Sequence, residues 1–312
     1  MDDREFAAAL CDRDAILILS HLRPDGDTLG SGAALCSALR RMGKTAYLFS
    51  NPETTARYLP YVAQFFAPAD FVPACVVAVD IATPDLFPQG FSGAVDLCID
   101  HHPSNALYAG ATLLHAEKSA CGEAVLDLIE LIAGSVTEQE ANLLYIAVTT
   151  DTGCFRFNNT TADTLRCAAA CKDTGADTFA INTALFMTKR LPRLQLEARL
   201  TEKMEFYAGG AVAVNTLPNV LLVELGLTED DVDDISGFSR EIAGVEIGVM
   251  LREGPEGGKI SLRCSPKYDA AAICARLGGG GHRGAAGASV PEGLDAAKKA
   301  ILQAIADSGV EL

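Results

Sequence analysis

GAVDLCIDHHP, residues Gly93–Pro103, decides how this chain is read. A short apolar run, Leu97–Ile99, ends in an acid and two adjacent histidines, although the 312 residues hold only five histidines in all. Such a run suits a strand buried in a parallel sheet, and in parallel α/β sheets ligands bind outside the carboxyl ends of the strands. Three other segments end the same way. AILILS (Ala15–Ser20) leads into SHLRPDGDTLGS with His21, Asp25 and Asp27; CVVAVD ends on Asp80; and the helical TEQEANLLYIAVTTD ends on Asp151.

Taken singly, each of these residues has an ordinary explanation. An Asp at a strand end commonly caps a helix or shapes a turn; Asp27 precedes a helix, and Asp151 has Gly153 close by. Taken together they do not. Four carboxylates brought to one sheet edge without bases repel one another, and divalent cations relieve this most simply. Mixed carboxylate and imidazole donors suit Mn²⁺, Fe²⁺, Co²⁺ or Zn²⁺ better than Ca²⁺. A pair of such ions about 3.5–4 Å apart clamps the attacking and leaving oxygens of a phosphoester displacement and makes hydroxide available at neutral pH. No protein nucleophile is then required, and the chain has neither a GxSxG elbow nor a cysteine with an activating partner.

The surrounding pattern predicts an α/β protein: a mainly parallel sheet flanked by helices, then a connecting helix and a smaller α/β domain. Through residue 188, short apolar runs (AILILS, TAYLFS, CVVAVD, AVDLCID) alternate with helical segments, one opened by a Thr137–Glu140 capping box. LPRLQLEARLTEKMEFY (Leu191–Tyr207) reads as the connector. AVAVN, VLLVEL, VEIGVML and KISLRC then read as strands, followed by a glycine-rich loop and a final helix. The expected divisions are residues 1–188, 189–208 and 209–312.

Composition narrows the function. A net charge of −16 opposes a long duplex nucleic acid, which needs many Lys or Arg on one face, but not a short phosphorylated ligand held locally. No stretch reaches the roughly 18 apolar residues of a membrane span, and the N-terminus is acidic where a signal peptide is basic, so no membrane is expected and the cytoplasm is the expected location. The ten cysteines are scattered without a CxxC pair and read as reduced, small apolar side chains.

SHLRPDGDTLGSG, VAVD, DHHP and TTDTGCFRFNN, in this order, resemble the four motifs of the DHH phosphoesterase superfamily, and GGGGHRGAAG (Gly278–Gly287) is similar to the signature of the DHH-associated C-terminal domain. The resemblance implies two divalent metal ions, most simply Mn²⁺, one held by His21, Asp25 and Asp80, the other by Asp27, Asp80, His101 and Asp151. It implies that His102 faces the substrate as a catalytic residue, with Asp100 steadying it. It also implies a recognition site at Arg263, Gly280, Gly281, His282 and Arg283, although Cys264 stands where the family often has serine. Successive residues of an extended chain point opposite ways, so two adjacent histidines can do different jobs.

At this length the resemblance falls on the short stand-alone branch of the superfamily, the nanoRNase and 3′-phosphoadenosine 5′-phosphate phosphatases. It implies hydrolysis of short oligoribonucleotides, linear dinucleotides and 3′-phosphoadenosine 5′-phosphate by metal-activated hydroxide, with short RNA or mono- and dinucleotides as partners. A homodimer is compatible with this reading. The alternatives are a cyclic di-AMP phosphodiesterase and a catalytically silent nucleotide-binding module.

Overall fold

The computed structural model describes residues 1–254 and 257–312, which form two compact units, Met1–Thr188 and Lys189–Leu312. In the first, α1 (Asp3–Cys11) precedes β1 (Ile16–Leu19), α2 (Gly26–Arg41), β2 (Ala46–Leu48), the one-turn α3 (Leu59–Val62), β3 (Cys75–Val79), β4 (Leu97–Asp100) and β5 (Ala111–Leu114). All five strands are parallel, in the order β2-β1-β3-β4-β5. The chain leaves β1 toward one edge and returns through β3 on the other side. The β1/β3 boundary is therefore the switch point at which such sheets bind ligands.

The alternation of strands and helices stops earlier than expected. β3, β4 and β5 follow one another without an intervening α-helix, and α4 (Cys121–Ala133), α5 (Glu138–Asp151), α6 (Ala162–Asp173) and α7 (Thr178–Asn182) come afterwards as a block. Helices cover one sheet face, where Ile16, Ile18, Val77, Val79 and Ile99 pack with α1, α2, α4 and α5. The other face, carrying Leu17, Leu19, Ala78 and Cys98, is covered by loop aromatics that include Phe49, Phe87, Phe91 and Tyr108. These rings meet edge to face, with centroids 5.3–6.3 Å apart. Both faces are dry, which is why the strands read as continuous apolar runs.

α2 and α5 are unusually close. A β-carbon on Gly26 would stand 2.4 Å from Thr150 Oγ1, and one on Gly30 would stand 2.4 Å from the Leu143 carbonyl. Glycine at both positions lets the helices touch, and so brings Asp27 of α2 beside Asp151 at the end of α5. Buried Glu140 locks the same pair. It closes the capping box on Thr137 and accepts from Arg41 Nη2 at 3.1 Å and Ser37 Oγ at 3.1 Å.

The second unit contains α8 (Leu191–Glu202), β6 (Glu205–Tyr207), β7 (Val212–Leu217), α9 (Asn219–Leu225), a 3₁₀ stretch (Glu229–Glu241), β8 (Ile247–Gly254), β9 (Gly257–Cys264), α10 (Ala270–Ala275), β10 (Gly280–His282), β11 (Ala285–Val290) and α11 (Leu294–Ala306). Its mixed sheet runs β10-β11-β9-β8-β7-β6. VLLVEL, expected as a strand, is helix α9. Leu221 and Leu222 are buried against Leu196 and Leu200 of α8, Val220 and Val223 face out, and Gly226 ends the helix in the left-handed region. With Pro218 in front and a glycine C-cap behind, the local signals for a helix outweigh β-branched content. The glycine-rich segment is no open loop either: it forms edge strand β10, paired antiparallel to β11 with Gly280 opposite Gly287. Among the described residues no helix is long and apolar enough to cross a membrane.

Candidate active site

Every acidic and imidazole group expected at the strand ends meets at the carboxyl edge of the first sheet. Asp80, directly after β3, is the centre. It is buried and adopts φ +60°, a left-handed conformation that a non-glycine residue holds at a cost and that concentrates at functional sites. Its Oδ2 lies 3.8 Å from His21 Nε2, and its Oδ1 lies 3.4 Å from His101 Nε2. His21 Nε2 is also 3.5 Å from Asp25, while His101 Nε2 is 3.7 Å from Asp27 and 3.6 Å from Asp151.

Local structure fixes each of these groups. Asp25, and not Asp27, is the N-cap of α2, accepting from the Asp27 and Thr28 amides at 3.0 and 3.2 Å. Asp27 instead reaches across to α4, whose own N-cap, Ala120, offers no side-chain acceptor. The amides of Cys121 and Gly122 donate to it at 2.7 and 3.0 Å, and Ser31 Oγ donates at 2.9 Å. Thr28 joins the two strand ends, its hydroxyl accepting from the His21 amide and donating to the Val79 carbonyl at 2.8 Å.

The histidine tautomers are set by backbone oxygens. His21 Nδ1–H donates to the Leu22 carbonyl at 2.8 Å, and His101 Nδ1–H donates to the Lys118 carbonyl at 3.1 Å. Each ring therefore turns Nε2 toward the carboxylates. His101 Nε2 and Asp80 Oδ1 are buried and have no hydrogen-bond partner. Nitrogen–oxygen separations of 3.4–3.8 Å are too long for hydrogen bonds. They approach the roughly 3–3.5 Å edges of a coordination shell with bonds near 2.1 Å. His21, Asp25 and Asp80 form one group able to hold an ion, and Asp27, His101 and Asp151 form another.

His102 is built differently. Its Nδ1 donates to Asp100 Oδ1 at 2.8 Å, so that nitrogen is committed and Nε2 is the ring's outward atom. Asp100 is buried at the end of β4. The same Oδ1 accepts from the His101 and His102 amides, while Oδ2 accepts from Asn105 Nδ2 at 2.5 Å. The adjacent rings lie with centroids 4.5 Å apart, tilted by 59°.

The electrostatics describe a site short of positive charge. Burial disfavours protonated His21 and His101, but Asp25 and Asp80 raise the first to about 10, and Asp80, Asp27 and Asp151 raise the second to about 11. Burial, with the charges of Asp80 and Asp151, pushes Asp27 well above the usual carboxylate range. Burial, with Asp25 and Asp80, raises Asp151 to about 7 against the pull of His101. Asp25 goes the other way: despite desolvation, His21 and the capping amides bring it down to about 2. Protons are being recruited where cations would serve.

All ten cysteines carry free thiols, and burial raises Cys36 and Cys98 to about 12, so neither is an activated nucleophile.

Residues 15–148 match the DHH family, N-terminal domain, and residues 209–307 match the DHHA1 domain. The chain is 34% identical to the bifunctional oligoribonuclease and PAP phosphatase NrnA of Thermus thermophilus, over 93% of this chain and 89% of that one. The chain belongs to the DHH family. The protein of the same name from Bacillus subtilis is 27% identical, over 89% of this chain and 90% of its own. An exopolyphosphatase-related protein from Bacteroides fragilis shares the fold, with a TM-score of 0.86, 23% identity and coverage of 98% and 96%.

Within the DHHA1 region, a groove of about 580 Å³ lies on the sheet face over β9, β11 and β10. Arg263, Gly280 and Gly281 line it, together with Lys259, Ser261 and Ser289. Arg263 Nη2 donates to Ser236 Oγ at 2.9 Å. His282 shares this face by register, but it stands exposed at the hairpin tip outside the lining, and Arg283 donates instead to the Pro266 carbonyl at 3.2 Å.

The residues that sequence reasoning missed are the holders: Asn105 on Asp100, Ser31 on Asp27, Thr28 between strands, and the Lys118 carbonyl on His101. Only Thr28 and Ser31 carry a signal in the sequence, lying within the first motif. A carbonyl has none.

Proposed function

We propose that this DHH-family protein is a metal-dependent phosphoesterase that hydrolyses short oligoribonucleotides, linear dinucleotides and 3′-phosphoadenosine 5′-phosphate. The observation carrying the reading is the pair of buried atoms without partners, Asp80 Oδ1 and His101 Nε2, inside a ring of carboxylates and imidazoles. This donor set fits divalent ions, Mn²⁺ foremost. His21, Asp25 and Asp80 would hold one, and Asp27, Asp80, His101 and Asp151 the other, with Asp80 shared. Bound there, the ions supply an activated water at neutral pH and charge neutralisation for the phosphoryl group.

The chain's own groups do the rest. Asp100 keeps a proton on His102 Nδ1. Burial opposes charging that ring, but Asp100 and Asp80 raise its pKa, so a protonated His102 can donate from Nε2 to a phosphate oxygen. Asp100 acts through His102, as a positioning residue. In the second unit, Arg263 and the glycine strand supply a further candidate phosphate-binding surface. The names of the relatives support this substrate class, and the acidic charge of −16 supports short ligands over long duplexes. Ten free thiols support a reducing cytoplasm.

The test is a substrate panel with Mn²⁺-loaded protein: 3′-phosphoadenosine 5′-phosphate, linear and cyclic dinucleotides, a two- to eight-nucleotide RNA ladder, and pyrophosphate. Turnover of the first, the linear dinucleotides and the shortest RNAs is expected. Turnover confined to pyrophosphate or to cyclic dinucleotides would overturn the reading.

A further inference from the structure

Asp151 of TTDTGCFRFNN joins an ion-holding group, and the residues after it form a loop around it. Gly153, Cys154 and Phe155 follow one another in the left-handed region, at φ +55°, +58° and +63°. Glycine takes this conformation freely, but cysteine and phenylalanine hold it at a cost, and such strain gathers at functional sites. The loop also folds back on its own start. The Thr152 carbonyl accepts from the Arg156 and Phe157 amides, each at 3.0 Å, and Asn159 Nδ2 donates to the Asp151 carbonyl at 3.1 Å. The Asn159 carbonyl accepts in turn from the Ser119 hydroxyl. Arg156 Nε closes the turn on the Gly153 carbonyl at 2.6 Å.

This bracing presents one ring to solvent. Phe155 is partly buried, its ring 6.1 Å from that of Tyr145 between centroids, whereas Phe157 is 56% exposed. The tip of the Phe157 ring lies on Gly153, where a β-carbon would stand 2.4 Å from Cζ, so glycine is what leaves room for the ring. A single exposed aromatic side chain is ordinary. One fixed by a strained loop that closes on Asp151 is not. Every residue involved lies in the first unit.

We propose that Phe157 is the stacking platform for the nucleobase next to the phosphate under attack. This rests on the function proposed above and places base recognition beside the ion-holding groups. A nucleotide is an apolar disc joined to charged phosphate through a short sugar. The ion-holding groups take the phosphate, and a ring braced close to them takes the disc. Every base has a face that stacks, so the platform selects nucleotides over base-free phosphates without selecting among bases.

The chain has no tryptophan, so Phe157→Trp places a sole indole reporter at the platform. In that variant, Mn²⁺-loaded, AMP should quench the fluorescence by stacking, and ribose 5-phosphate should leave it little changed. In parallel, the KM of Phe157→Leu for 3′-phosphoadenosine 5′-phosphate should rise about tenfold over wild type, as for the loss of one base–aromatic stack. The same variant should lose little on ribose 3,5-bisphosphate, which is that substrate without its base. Phe157→Tyr, which keeps a ring, should restore most of the affinity. Equal losses on the two bisphosphates, an unchanged KM in Phe157→Leu, or equal quenching by AMP and ribose 5-phosphate would overturn the platform. So would quenching that follows protein concentration instead of AMP, which would put a second copy of the chain on the ring. A wild type inactive on every phosphoester would overturn the function beneath it, and quenching by AMP would still decide the platform.

Discussion

In the first unit the candidate ligands sit at the ends of elements, whereas in the second the groove residues alternate along the middle of one strand. The first arrangement converges: β1, β3, β4 and the end of α5 deliver His21, Asp80, His101 and Asp151 to one point. The second spreads out along β9, β10 and β11, on a surface cleared by glycine. A converging site suits ions, which need several donors within about 2 Å of one centre. A spread site brings no such set together. The difference also bears on rigidity, since the first site is locked by backbone amides and buried carboxylates.

The contrast breaks most completely at Asp80. Asp80→Ala removes the carboxylate proposed to be shared by both ions, and activity on every substrate should fall by about three orders of magnitude or more, the several kcal/mol expected of metal assistance. Retention of a tenth of wild-type kcat would refute the sharing. Next comes Asp100→Asn, which leaves the donor set in place but weakens the orientation of His102. A loss of about 10–100-fold is expected, with the limb of the kcat profile that reports imidazolium moving to lower pH; a loss with an unmoved profile would mean Asp100 is merely structural.

Gly30→Ala tests whether the first site depends on helix contact. The added methyl meets the Leu143 carbonyl, a backbone group, and should cost about 1–3 kcal/mol by denaturant unfolding. Metal affinity should weaken as well, since Asp27 and Asp151 ride on the two helices. Arg263→Ala sharpens the other half of the comparison: KM should rise about tenfold with kcat little changed, since the groove contributes binding and not ion assembly.

The smallest effect is on stability against pH after chelation. His21 and His101, with pKa values raised to about 10 and 11, bind protons more tightly folded than unfolded, so their contribution is full below about pH 6.5 and fades as pH climbs toward 10–11. Asp151, raised to about 7, carries the same sign from about pH 4 to 7, and Asp27, also raised, acts in the same direction. Asp25, lowered to about 2, acts oppositely, but only in acid. The metal-free protein should therefore lose melting temperature steadily between pH 6.5 and 9, and Mn²⁺ should flatten the slope by displacing those protons. Equal slopes with and without Mn²⁺ would show that the ions bind elsewhere.

Much of the first site was legible because its residues occupy positions that periodicity reveals. A polar cluster closing an apolar run is visible without coordinates, and so is its repetition at His21, Asp80 and Asp100–His102. The roles of Asp25 and Asp27 were less so. Both stand at the start of α2, and only the approach of α4 shows that Asp27 serves that helix while Asp25 caps its own. In the second unit, apolar runs of similar composition became strand β7 and helix α9, because burial of Leu221 and Leu222 against α8 is a tertiary fact. The glycine run likewise became a paired strand only because β11 lies beside it.

Sequence alone determined the α/β class, the residue types at the carboxyl edge and the family, since each depends on local pattern and order along the chain. Tertiary structure decided which atoms face which. It set the tautomers of His21 and His101 through carbonyls, assigned Asp100 to His102, and put Arg263 in the groove while leaving His282 and Arg283 outside its lining. Those outcomes depend on backbone groups and on neighbours distant in sequence, and neither leaves a trace in residue order.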